Sequence, residues 1–180
     1  MYREAITLLA APALLLAQPA AASREDGWAS ASDIGRAALV AWSLGVPLLD
    51  GDTDGALQAA GSVGAAALLS QGLKRTVPEM RPDGSDNRSF PSSHTSMSFA
   101  AASSILERRG AGEGVPALVL ASLVGVARIE ADKHHWYDVL AGAAIGTASG
   151  LLITHRLEQN EVVTLGGDTR GARVSYAARF

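Results

Sequence analysis

Residues 128–138, RIEADKHHWYD, place two adjacent histidines between an arginine and a set of acids. In a helix, His134 and Asp138 stand four residues apart and share a face. A carboxylate there accepts one imidazole N–H, fixes the tautomer and leaves the other nitrogen free to react. His135 points about 100° away and meets Val139 four residues on, not an acid, so it is expected to pack or to lie near an entrance. Arg128 precedes the pair by one to two turns and can hold an anion. A second group is FPSSHTS, 90–96. Ser92 or Ser93 can cap a helix, and the free N–H groups of its first turn favour an anion. His94 then sits where it can exchange a proton with whatever those donors hold. A third group is Lys74 with Arg81, seven residues on, followed by Pro82. Each group taken alone also suits an ordinary helix end, with a Ser cap, dipole-favoured cations or a surface His–Asp pair.

Helices must carry these groups. Asp33 is expected to cap a first helix over about 33–49. DGDTDG (50–55) is a turn, and a second helix follows over about 55–74, rich in Ala, Gly and Ser. Pro78 and Pro82 stop it. A third helix is expected over about 92–109, until GAGEG breaks it, and a fourth over about 116–131. A fifth starts near His135 or a turn earlier and ends near 156. In the tail, Val174, Tyr176, Ala178 and Phe180 alternate with other side chains after a Gly-rich turn, which predicts a β-hairpin. The expected fold is all-α: a bundle of about five helices with a short C-terminal β-hairpin. The longest apolar runs, 117–127 and 139–153, fall short of the roughly 18 residues of a confident membrane span. The small residues suit close helix contact in lipid or in water.

The composition narrows the class. The chain has 180 residues, net charge −3 and no cysteine. Thiol catalysis, disulfides and cysteine-ligated zinc are excluded. No run of Lys or Arg suggests nucleic acid as a partner. The N terminus has Arg3, an apolar stretch over 6–17 and the small residues Ala20-Ala21-Ala22. This reads as a signal peptide over 1–22, with an uncleaved anchor as the alternative. Either places the remainder in the cell envelope, periplasmic or membrane-associated, with the site outside the cytoplasm. The expected division is signal peptide 1–22, helical catalytic domain 23–157 and hairpin tail 158–180.

Lys-x6-Arg-Pro, Pro-Ser-Ser-His and Arg-x5-His-x3-Asp occur in this order. Together they closely resemble the three motifs of the type 2 phosphatidic acid phosphatase and vanadium haloperoxidase superfamily. Two positions depart from the pattern: Ser93 stands in place of glycine, and Ala127 stands where serine is usual. The resemblance implies phosphate-ester hydrolysis in two steps without metal or other cofactor. Lys74, Arg81, Ser92, Ser93 and Arg128 would bind phosphate. His134, oriented by Asp138, would be the nucleophile and form a phosphohistidine. His94 would protonate the leaving oxygen and then activate water. The implied substrate is a phosphate monoester or diphosphate, of a lipid in view of the apolar helices, with membrane association. Other readings are a non-specific acid phosphatase on soluble substrates, a vanadate-dependent haloperoxidase, a metal hydrolase using His94, His134, His135 and Asp138, and a non-enzymatic envelope protein.

Overall fold

A computed structural model describes residues 24–155 and the backbone of 161–168 and 171–178. The expected signal segment lies outside the described residues. Five helices follow in order: α1 (Arg24–Leu49), α2 (Thr53–Thr76), α3 (Ser93–Arg109), α4 (Ala111–Glu130) and α5 (Trp136–Ile153). The expected all-helical bundle is the observed architecture. Past it, β1 (Glu161–Asp168) and β2 (Gly171–Ala178) lie antiparallel, with Glu161 opposite Ala178. The site described below is built by the helices and the loops between them.

Two helix starts differ from expectation, and a third, at its expected place, leaves His134 outside its helix. α1 begins at Arg24, so Asp33 is inside the helix and caps nothing. Glu25 and Asp26 occupy its first turn, where acids complement the dipole. α4 begins at Ala111 rather than at 116, because Gly110 alone (φ 78°) turns the chain and the rest of GAGEG is helical. α5 begins at Trp136 with His135 as its N-cap. His134 therefore lies in the turn before the helix.

α3 is the hub and packs against each of the other four helices. Its inward face is small and partly hydroxylated: Ser96, Ala100, Ala101, Ser103 and Ser104 are buried. Neighbouring helices answer with hydroxyls. Ser70 Oγ meets Ser96 Oγ at 2.6 Å, and Thr154 Oγ1 meets Ser104 Oγ at 2.7 Å and Ser62 Oγ at 3.0 Å. Such pairing removes the penalty of roughly 1–3 kcal/mol for a buried unpaired polar group.

The α3–α5 contact depends on Gly142, Gly146 and Gly150, one per turn along α5. A Cβ at Gly146 would sit 2.2 Å from the Ser96 carbonyl oxygen, and one at Gly142 2.6 Å from that of Ser92. Only a bare backbone permits this approach. It brings the N-terminal end of α3 beside the N-terminal end of α5.

Large apolar side chains face outward instead. Leu49, Leu68, Leu123, Trp136, Leu140 and Leu152 are exposed, while Leu39, Val124 and alanines fill the interior. α4 and α5 are long and apolar enough to cross a membrane, with mean hydropathy 1.5 and 1.3. The apolar runs are short, as expected, but the helices that carry them have 20 and 18 residues.

Candidate active site

A cavity of about 270 Å³ opens at the end of the bundle where α3 and α5 begin. Lys74, Arg81, Ser93, His94, Arg128 and His134 line it, so six of the residues singled out in the sequence share one surface. Ser92 and Asp138 are fully buried beside it. Backbone hydrogen bonds join the groups: the Ser92 N–H donates to the Asp138 carbonyl at 3.0 Å, and the Asp83 N–H donates to the Asp132 carbonyl at 3.0 Å. Arg81 Nη1 adds a bond to the Lys133 carbonyl at 3.0 Å.

His134 is 2 % exposed, with Nδ1 3.5 Å from Asp138 Oδ2. That is longer than a hydrogen bond, and spacings at such sites often tighten when substrate binds. Asp138 is the third residue of α5. It accepts from Ser89 Oγ–H at 2.5 Å and from the His135 N–H at 2.9 Å, both on Oδ2. The His134–Asp138 relation expected from one helical face is thus made otherwise: a pre-helical histidine meets a carboxylate folded back to hold the helix start. Burial, then the charges of Lys74, Arg128 and Arg81, hold the His134 imidazole well below its usual pKa. The ring is neutral near pH 7 and its lone pair is available. With Nδ1 toward the carboxylate, Nε2 is the nitrogen left to react.

The PAP2 superfamily model matches residues 55–161, more than half of the chain. The chain belongs to the PAP2 superfamily. Among curated relatives, a lipid A 1-phosphatase of Porphyromonas gingivalis is 37 % identical over 82 residues, 44 % of this chain and 18 % of that protein. Lipid phosphate phosphatase 2 of Arabidopsis thaliana is 36 % identical over 93 residues, 44 % of this chain and 30 % of that protein. The chain spans less than a third of the length of these relatives. The crystal structure of Aquifex aeolicus LpxE has the same fold, with a TM-score of 0.62 and 22 % identity, over 71 % of this chain and 83 % of that one.

This PAP2 cavity distributes its cations unevenly. Lys74 Nζ donates to the carbonyls of Arg88, Ser89 and Pro91 at 2.7, 3.0 and 2.6 Å. Its three protons pin the loop before α3, and burial followed by the nearby Arg81 charge lowers its pKa to about 8. Arg81 is held by Asp86, Nε to Oδ1 at 2.8 Å. Arg128 Nη1 donates to Ser32 Oγ at 3.2 Å, while its buried Nε has no hydrogen-bond partner among the described residues. A buried guanidinium with a spare donor at a cavity wall is suited to an anionic oxygen.

The two serines divide. Ser92 is the N-cap of α3 and its Oγ accepts from Thr95, so it faces inward. Ser93 lines the cavity, and its Oγ is buried with no hydrogen-bond partner among the described residues. His94 also lines the cavity, with Nε2 2.6 Å from Asp33 Oδ1. Burial, then the Arg128 charge, lowers its pKa to about 4, against the pull of Asp33.

His135 is turned from the cavity, yet it does have acids beside it. Its Nδ1 lies 3.4 Å from Asp138 Oδ2 and 3.7 Å from Glu79 Oε1, and its ring stacks on Tyr137 with centroids 5.0 Å apart. The expected neighbour Val139 was wrong because residue 135 is not helical. Glu79, His135 and Asp138 are the groups whose ligand atoms come within 4.8 Å of one another among the described residues. His94 and His134 are not among them, so the four-residue metal set expected as one alternative is not assembled.

Sequence reasoning missed Gln71, Asp86 and Arg88, which also line the cavity, and Ser89 and Asp33, which hold its acids and bases. Asp86 and Arg88 lie in a loop whose polar composition carried no signal. Ser89 and Asp33 contact partners 49 and 61 residues away.

Proposed function

We propose that this PAP2 protein is a phosphatase that hydrolyses phosphate monoesters or diphosphates of lipids through a phosphohistidine on His134. The observation that carries the reading is a single cavity shared by two imidazoles and several cations. A phosphate brings up to two negative charges. Arg128, Arg81 and the first-turn N–H groups of α3 would take its oxygens. Lys74 contributes its field and the shape of the 88–91 loop. His134 Nε2 forms the N–P bond as the bond from phosphorus to the leaving oxygen breaks. That oxygen takes a proton from His94, which enters the step as the imidazolium, favoured by Asp33 and by the bound phosphate charge. In the second step His94 removes a proton from water, the water oxygen bonds to phosphorus, and the N–P bond breaks. Inorganic phosphate leaves and both rings return to their starting state.

Lipid substrates are favoured by the outward leucines and by α4 and α5, which would set the cavity mouth beside a membrane. The names of the curated relatives point to the same substrate class. The catalytic domain over 23–157, the signal segment, the active site outside the cytoplasm and a separate hairpin tail over 158–180 belong to this proposal.

A phosphate-release panel of lipid phosphates, lipid diphosphates and water-soluble monoesters tests it. Lipid substrates should lead, activity should persist in EDTA, and His134→Ala should remove it. Release that is unchanged in His134→Ala would sink the mechanism; preference for soluble esters would sink the lipid assignment.

A further inference from the structure

Asp33 sits in the middle of α1, nine residues past its start, where it caps nothing. It reaches across to the first turn of α3 instead, with Oδ1 2.6 Å from His94 Nε2. Its neighbour in sequence, Ser32, receives Arg128 Nη1 at 3.2 Å. Two consecutive residues of α1 therefore hold one member each of the second and third sequence motifs. α1 lies before residue 55, outside the segment matched by the PAP2 family.

The bond decides which nitrogen of His94 does what. An ionised carboxylate only accepts, so Nε2 must carry the proton in the pair. Nδ1 is then the nitrogen left for the substrate: a donor when the ring is charged and an acceptor when it is neutral. Without Asp33, nothing on this side would hold the Nε2–H tautomer, and the ring could turn. The charged groups facing His94 are Asp33 and Arg36 on α1 and Arg128 on α4. Asp33 is the one that favours the protonated ring.

We propose that Asp33 is a positioning residue for the proposed acid–base group His94, fixing Nε2–H so that Nδ1 exchanges the proton with the leaving oxygen and then with water. This rests on the phosphohistidine reading above. Asp33 touches neither phosphate nor water in the reaction and does not itself take the proton. The alternative is a surface ion pair with no effect on rate. Asp33 is 57 % exposed at its side chain, so the pair contributes little stability in either case, and its variants should fold.

Leaving-group dependence separates the two. A p-nitrophenolate departs without help, whereas an alkoxide needs a proton. The kcat/KM for release from p-nitrophenyl phosphate and from an alkyl phosphate would be measured for the unaltered protein and for His94→Ala, Asp33→Ala and Asp33→Asn. His94→Ala should lose about 10²-fold or more on the alkyl ester and far less on the nitrophenyl ester. Asp33→Ala should show the same asymmetry at about tenfold. Asp33→Asn, which keeps an acceptor without the charge, should fall between. An Asp33→Ala protein matching the unaltered one on both esters, or losing equally on both, overturns the role of Asp33 while leaving the function reading intact. An unaltered protein that releases no phosphate, or a His94→Ala protein without the asymmetry, overturns the function reading and this inference with it.

Discussion

Two histidine–carboxylate pairs face one cavity, and they are built in opposite ways. His134 and Asp138 are 2 % and 0 % exposed; His94 and Asp33 are 21 % and 57 % exposed. The first pair is dry and braced. Asp138 is tied by Ser89 and by the His135 N–H, and the histidine is fixed by the turn between α4 and α5. The second joins two helices across the rim, where water reaches it. A nucleophile gains from a fixed approach and a shed solvent shell. A group that must deliver a proton and then take one back gains from contact with water. Under the proposed mechanism the buried ring would attack and the open one would carry the proton.

The sharpest way to break this comparison is to delete each ring. His134→Ala should reduce phosphate release on the order of 10⁴-fold or more on any substrate, measured at saturation. A loss for His134→Ala that vanishes with good leaving groups would mean the roles are exchanged. Next come the carboxylates. Asp138→Asn should lower kcat by about 10²–10⁴-fold, because the buried imidazole loses its tautomer control. That is well above the effect expected at exposed Asp33, and equal losses would dissolve the distinction between dry and wet pairs. Ser89→Ala should act on the buried pair alone. One hydrogen bond to Asp138 disappears, lowering stability by about 1–3 kcal/mol in chemical denaturation and leaving the leaving-group dependence unchanged.

Titration gives a smaller and independent reading. The folded pKa of His94 is about 4, below the usual 6.5. Between those values the unfolded chain binds more protons, so stability should fall as pH drops from about 6.5 towards 4. His134, lowered further by burial and cations, should extend the decline in the same direction. His94→Gln should flatten the upper part of the profile, read as unfolding midpoint against pH. The smallest effect is expected at Ala127→Ser. Ala127 is buried in α4, and a serine there can donate to the carbonyl four residues back, as Ser122 does to Leu118 at 2.9 Å. Phosphate release should change by less than about twofold; a larger gain would show that the hydroxyl reaches Arg128.

The helices were legible because Pro78, Pro82 and Gly110 interrupt small-residue runs, and the cavity was legible because Lys74, Arg81, His94, Arg128, His134 and Asp138 keep a recognisable spacing. What the sequence hid was mostly long-range or a matter of helix starts. Residues 24–33, REDGWASASD, are polar and lie before the expected start at Asp33, yet they are helical, and Ser32 and the following Gly35 pack inward. That single shift turned Asp33 from a supposed cap into the partner of His94. His135 was misplaced for a similar reason: an N-cap has extended backbone (φ −75°, ψ 160°), so its side chain follows no helical direction. Lys74 does line the cavity, but its three carbonyl acceptors, brought in by the 88–91 loop, could not be foreseen from its spacing to Arg81.

Gly142, Gly146 and Gly150 mesh α5 with α3 like teeth in a rack. A slide of α5 by one residue, about 1.5 Å, would drive a neighbouring Cβ into the carbonyl row of α3, so the only comfortable displacement is a whole turn of about 5.4 Å. The two rings hang from the leading ends of these helices. Their separation is consequently geared, not elastic: it does not stretch to suit a bulkier ligand. Accommodation must come from the 77–91 loop and the rim of α1, which makes those segments the places to alter when a different phosphate ester is to be admitted.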